Sequence, residues 1–211
     1  MWGVIVNRFK QGFRTLSYPK EVPPFPERFR GRPTLGVGKD PLSVDMTKDP
    51  LGAITPGGTE KRPAIDMGKC LFNEGLKDVC PKEVLSYSQD HRMAVSRRED
   101  LILGETGVRL AAALDEKMRR VFGRSLKLRE VCAGGCNGCE GEIQAMGNVV
   151  FDLSRFGIQF VASPRHADGL MITGPVTKNM ELALKRTYEA VPHPKIVIAV
   201  GACAISGGPF Q

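Results

Sequence analysis

No stretch of this 211-residue sequence reaches the 18 or so consecutive apolar residues that a membrane-spanning helix needs. No Walker pattern or other phosphate-cradling glycine motif occurs, so nucleotide chemistry has no residues to carry it. Histidine is scarce, with three in all, and His91 and His193 have no ligand partner at a sensible spacing, so both read as surface residues. Met1-Trp2-Gly3-Val4-Ile5-Val6 is too short for a signal-peptide core and has no positive stretch before it. The expectation is therefore a cytoplasmic chain, where thiols stay reduced. Its six cysteines then read as metal ligands or buried thiols rather than disulfides.

What is present fits one moderate domain or two small ones, with 42% hydrophobic and 25% charged residues. The net charge is +7, and the excess gathers at the start. Residues 1–38 hold Arg8, Lys10, Arg14, Lys20, Arg28, Arg30 and Arg32 against Glu21 and Glu27. With Trp2, Phe9, Phe13 and Leu16 interleaved, this basic segment suits an anionic membrane face or an acidic partner. A solvated tail is the bland alternative, and no nucleic-acid motif accompanies the charge.

Pro19, Pro23, Pro24, Pro26 and Pro33 predict an extended course over residues 18–38. Residues 39–66 are loop-rich, with turns at Asp40-Pro41, Asp49-Pro50 and Pro56-Gly57-Gly58. Between Gly107 and Arg120, apolar residues recur at helical spacing and predict an amphipathic helix. The last third alternates. Strands are predicted at Leu126–Val131, Ile158–Ala162, Leu170–Thr173 and Lys195–Val200, and helices at Glu142–Leu153 and Lys178–Ala190. That order implies a parallel sheet with helices on its faces.

Sites in such sheets gather beyond the carboxyl ends of strands, where Cys136, Cys139 and Cys203 all fall. Two thiolates two residues apart, joined by a third from a later strand end, suit an iron–sulfur cluster. Cys132-x-x-x-Cys136-x-x-Cys139 also spells a radical S-adenosylmethionine signature. That signature normally opens a barrel, for which too little chain follows, and Gly138 replaces its usual aromatic.

The stretch Val131–Phe210 resembles the small subunit of group 4 membrane-bound nickel–iron hydrogenases and the related 20 kDa subunit of respiratory complex I. The match is carried by Gly135-Cys136-Asn137-Gly138-Cys139-Glu140, Arg155-Phe156-Gly157-Ile158 and Ser163-Pro164-Arg165-His166-Ala167-Asp168. Thr173-Gly174-Pro175-Val176-Thr177 and Gly201-Ala202-Cys203-Ala204-Ile205-Ser206-Gly207-Gly208 complete it. The resemblance implies a flavodoxin-like domain, here truncated, with one 4Fe–4S cluster on Cys136, Cys139 and Cys203. The family's fourth cysteine lies in a Gly-Cys-Pro-Pro element downstream of Gly208, which this sequence does not contain. Cys132, another chain, or a sequence cut short are the open alternatives. The resemblance also sets Glu140, Arg165 and His166 in the cluster environment. The glutamate matching Glu140 is a proton-path candidate there, although helix capping would equally explain a carboxylate at that position.

Residues 22–100 resemble the two-cluster ferredoxin subunit of the same complexes, through Phe25-Pro26-Glu27-Arg28-Phe29-Arg30-Gly31, Gly68-Lys69-Cys70-Leu71-Phe72, Asp78-Val79-Cys80-Pro81 and Arg97-Arg98-Glu99-Asp100-Leu101. The expected C-x2-C-x2-C-x3-C-P spacing reads Cys70, Asn73, Leu76 and Cys80. The other motif reads Lys39, Leu42, Asp45 and Asp49. Because the last cysteine of each motif serves the other cluster, Cys70 and Cys80 fall in different sites and neither holds a cluster.

The expected fold class is α/β: a flavodoxin-like parallel sheet preceded by a small loop-rich α+β ferredoxin-like domain. Residues 1–38 form a basic docking segment, 39–100 the cluster-free ferredoxin-like domain, 101–125 a linker helix and 126–211 the 4Fe–4S domain. The expected function is one-electron exchange with a large subunit of the nickel–iron or 49 kDa type, alongside membrane subunits. The chain is then a peripheral, non-autonomous oxidoreductase subunit on the cytoplasmic face of the inner membrane. A cluster-free structural subunit of such a complex is the competing reading.

Overall fold

Apolar residues in β6 (Leu126–Cys132) alternate, and alternation sends successive side chains to opposite faces of a sheet. Leu126 and Leu128 pack on one face with Ile143 and Met171. Val131 packs on the other with Ala167, Leu170 and Val191. This is a computed structural model that describes residues 2–36, 49–55, 64–73, 85–104, 120, 123 and 125–210. In it β6 joins β7 (Ile158–Phe160), β8 (Gly169–Thr173) and β9 (Ile196–Val200) in a four-stranded parallel sheet of order β7-β6-β8-β9. Helix α2 (Gly138–Ala145) supplies Ile143 to one face, and α3 (Lys178–Ala190) supplies Leu184 to the other. The order reverses between β6 and β8, and in open parallel sheets the crevice at that reversal is where ligands bind.

The remaining described chain builds two small antiparallel ladders. Strand β1 (Pro33–Leu35) pairs with β4 (Leu85–Tyr87), while β3 (Ala64–Asp66) lies between β2 (Ile54–Thr55) and β5 (Ile102–Leu103). Ala53, Ile54, Ile65, Cys70, Leu85 and Leu103 form their shared core. Helix α1 (Trp2–Gln11) buries none of its residues. The chain after it ties the two halves together. Thr15 Oγ1 and Leu16 N–H donate to the carbonyls of Val149 and Val150, each at 2.8 Å. Arg155 donates to the Tyr18 carbonyl at 2.8 Å, and the Tyr18 ring packs edge-on against both His91 and Phe156.

Three expectations change. The helix predicted at Glu142–Leu153 begins at Gly138 and ends at Ala145, because Asn148 Oδ1 accepts the N–H groups of Val150 and Phe151 at 2.8 and 3.1 Å. Such a side-chain turn competes with continued helix. Leu101–Leu103, assigned to the linker helix, instead form the end of a 3₁₀ turn and strand β5, so the small module extends past residue 100. His91 is no isolated surface residue, since its ring contacts Tyr18 and Phe25. Most of the predicted 107–120 helix lies outside the described residues.

Leu170 is fully buried between strand and helix, so Leu170→Ala should cost about 2–5 kcal/mol in urea unfolding. Leu182→Ala, at a position 57% exposed on α3, should stay within about 0.5 kcal/mol of the wild type.

Candidate metal centre

Strands β6 and β8 end level, Cys132 opposite Thr173, and the loops leaving them interleave. The Ala133 N–H donates to the Thr173 carbonyl at 2.8 Å, and the Thr177 N–H to the Ala133 carbonyl at 3.1 Å. Gly174 has φ +81, and a Cβ there would stand 2.6 Å from the Gly135 nitrogen. Only glycine meets both demands. This packing turns the chain so that Cys136 is exposed just before α2 and Cys139 half-buried in its first turn.

The third thiol arrives from β9. Gly201 follows the strand with φ +85, and a Cβ on it would stand 2.4 Å from Cys139 Sγ. The loop after β9 therefore lies directly against the Cys139 sulfur. Helix α4 (Ala202–Ser206) then carries Cys203, whose Sγ is 2.9 Å from where a Cβ of Gly208 would lie. Burial pushes the Cys139 thiol up, and the charges of Glu140, Cys203 and Cys136 push it further. Two neighbouring thiols thus bear on Cys139, and a bound cation would relieve that crowding by holding it as a thiolate.

Glu140 is buried at 5% exposure. It accepts the Thr173 hydroxyl at 2.5 Å, and its pKa is held below the usual glutamate value by the Cys132 thiol first and by Thr173 second, against the effect of burial. Cys132 is thereby engaged with a carboxylate. The turn carrying Arg165 and His166 leads through Asp168 into the amino end of β8, where Asp168 exchanges hydrogen bonds with the Lys127 backbone. Both side chains are exposed. Among the described residues, neither bonds to a cysteine-bearing loop.

In the small module Cys70 is a core residue, 2% exposed. Its thiol is pushed up by burial, reinforced by the carboxylates of Asp49 and Asp66. Asp49 itself is buried, and its Oδ2 accepts the Ile54 N–H at 2.7 Å. Asn73 is exposed. Leu76, Cys80, Lys39, Leu42 and Asp45 lie outside the described residues. Among the described residues, no three His, Cys, Asp or Glu side chains form a group that would hold a single metal ion. A cubane cluster asks for something else, because each thiolate binds a different iron atom and the sulfurs stand apart.

Sequence reasoning named Thr173, Gly201 and Gly208 only within longer motifs and gave them no role of their own. A threonine closing the apolar run Leu170-Met171-Ile172 was the available signal for a buried hydroxyl facing a polar partner.

Residues 136–211 match the family described as NADH ubiquinone oxidoreductase, 20 Kd subunit. Formate hydrogenlyase subunit 7 of Escherichia coli (strain K12) is 46% identical over 100 residues, covering 47% of this chain and 39% of its own length. One NADH-quinone oxidoreductase subunit, from Bacteroides fragilis, is 40% identical over 125 residues, covering 54% and 63%. The chain thus spans between 39% and 63% of the length of these relatives. A solved structure of the membrane-bound sulfane sulfur reductase, an archaeal respiratory membrane complex, contains a chain 37% identical, with 47% of this chain and 53% of that one covered and a TM-score of 0.37.

Thr173→Val keeps the shape and removes the donor to a buried carboxylate, so it should cost about 1–3 kcal/mol in chemical denaturation. The sign with pH follows from the lowered pKa of Glu140. The cost should be fully present above the ordinary glutamate pKa and fade as pH falls through the folded value. A cost that grows on acidification would contradict this placement of the charge.

Proposed function

We propose that this chain is an electron-transfer subunit of a membrane-associated oxidoreductase complex, in which Cys136, Cys139 and Cys203 bind one 4Fe–4S cluster. The observation that carries the reading is the set of three thiols beyond the carboxyl ends of β6 and β9, with the Gly201 turn packed against the Cys139 sulfur, beside the point where strand order reverses. The family of residues 136–211 and the names of the relatives support the same class of complex. The strand order is that of the first four strands of a flavodoxin-like sheet.

Such a cluster, when bound, supplies reversible one-electron storage. The chain's own residues would set its surroundings. Gly201 and Gly208 leave room beside the Cys139 and Cys203 sulfurs. Glu140, fixed by Thr173 and Cys132, puts a buried acceptor behind the Cys139 helix turn. Hydrogen bonding and burial around cluster sulfurs tune potential. Cys132 stays the candidate for a fourth ligand within this chain, at the expense of its bond to Glu140. Arg165 and His166 would act from the protein surface, toward a large subunit of the nickel–iron or 49 kDa type. The small module would be a ferredoxin-like docking domain without clusters, its Cys70 absorbed into a core and its Asp49 into a backbone bond. The proposed location is peripheral, on the cytoplasmic face of the membrane. No helix among the described residues is long and apolar enough to cross a bilayer.

Anaerobic reconstitution of the full chain with iron and sulfide tests this. About four irons per chain are expected, with a brown absorbance that dithionite bleaches. Alanine at Cys136, Cys139 or Cys203 should abolish it, and Cys70→Ala should not. A colourless product, or iron uptake indifferent to Cys203→Ala, would favour a structural subunit instead.

A further inference from the structure

Helix α4, which carries Cys203, rests on the small module. The contact is at Gly68, where a Cβ would stand 2.7 Å from Ile205 Cγ2 and 2.9 Å from Arg98 Cζ. Real side-chain carbons do not approach that closely, so the turn and the helix already touch and no side chain fits between them. Gly68 has an ordinary backbone conformation, since it is not among the glycines of positive φ. Its lack of a side chain serves close approach alone.

The surface that Gly68 presents is stiff. Asp66, 8% exposed, accepts the Gly68 N–H on Oδ1 at 2.9 Å and holds Arg98 Nη2 on Oδ2 at 2.5 Å. Its carbonyl accepts the Lys69 and Cys70 N–H groups at 3.1 and 3.0 Å. Cys70 anchors the far end of the turn in the core. Arg98 Nη1 is buried without an acceptor among the described residues, so the guanidinium is tied by Asp66 on one side and wedged against Gly68 on the other. Facing this turn, α4 has five residues, and bonds from Ile205 N–H to the Gly201 carbonyl and from Gly207 N–H to the Cys203 carbonyl close it on itself. So short a helix moves as a unit, and a displacement of Ile205 is a displacement of Cys203.

We propose that the Asp66–Cys70 turn, braced by Arg98, is a positioning surface for the Cys203 thiol, with Gly68, Asp66 and Arg98 as positioning residues. The proposal rests on the reading of Cys203 as a cluster ligand. A module without clusters of its own thereby fixes a ligand of the neighbouring site.

The test uses the full chain, first free of iron, with maleimide labelling of each thiol followed by mass spectrometry and with exposed Cys136 as internal reference. Gly68→Ala should raise labelling of Cys203 relative to Cys136 by at least about twofold, the lower end of coupling between contacting residues. Gly104→Ala adds a carbon in the same module with nothing within 4 Å and should match the wild type. Adding Ile205→Ala to Gly68→Ala removes the overlap with α4, leaving the added carbon against Arg98 alone, and should restore the wild-type ratio. In iron-loaded chain, Gly68→Ala should shift the midpoint potential and the electron paramagnetic resonance signal, which a merely destabilised but native site would leave in place.

An unchanged labelling ratio in folded Gly68→Ala overturns the proposal. Should that variant not fold, Ile205→Ala alone decides, since loosening the contact should raise Cys203 labelling and an unchanged ratio again overturns it. A labelling ratio that depends on Gly68 in a chain that takes up no iron retains the positioning and removes the cluster reading. Normal iron uptake with a ratio indifferent to Gly68 does the reverse.

Discussion

The parallel pairing of β6 with β8 runs in unbroken register from Leu128 opposite Gly169 to Cys132 opposite Thr173, so both strands finish level and both loops leave from one edge. With no stagger between them, the loops have to interleave, and the Ala133 and Thr177 backbone bonds are the result. The glycines at 135 and 174 follow from that crowding. Slipping this register by one residue would turn Leu126 and Leu128 out of their core and carry Cys132 away from Thr173. Sheet register and site geometry are therefore one constraint.

The same edge gathers a carboxylate and several thiols. Cys139 is raised by Glu140 and by two further thiols, while Glu140 is held ionised by the Cys132 thiol and the Thr173 hydroxyl. Donors thus surround the carboxylate, whereas Cys136 and Cys203 offer Cys139 none. A buried acceptor with its donors in place is stable as it stands. Crowded thiols find relief in a soft cation. The two halves of the site accordingly divide into a satisfied polar wall and an unsatisfied sulfur face.

Much of this is legible in the sequence. The helix Lys178–Ala190 keeps its expected bounds, and the four strands fall within a residue or two of theirs, because apolar runs between helices carry a strong period. The assignment of Cys136, Cys139 and Cys203 to strand ends needs only that pattern. Helix α2 escapes it, because Gly138, Cys139, Glu140 and Gly141 have no helical period to read. Its true end depends on an Asn148 side-chain bond that no periodicity encodes. Thr173 looks like the last residue of a strand, and its role depends on a glutamate 33 positions earlier. Contacts such as Gly68 with Ile205 join residues too distant in sequence for any local pattern to register.

The small module closes its core on few residues. Ferredoxin-sized chains have few residues to bury and lean on metal for their stability. Here Cys70 packs beside Ile54, Ile65 and Leu85, and the buried Asp49 accepts the Ile54 N–H. The Asp49 charge also bears on Cys70. With only short ladders of two and three strands, such a core is marginal alone. Its stability must come partly from the Thr15–Tyr18 strap and from the seat of Gly68 on α4, so the module and the sulfur site stabilise each other.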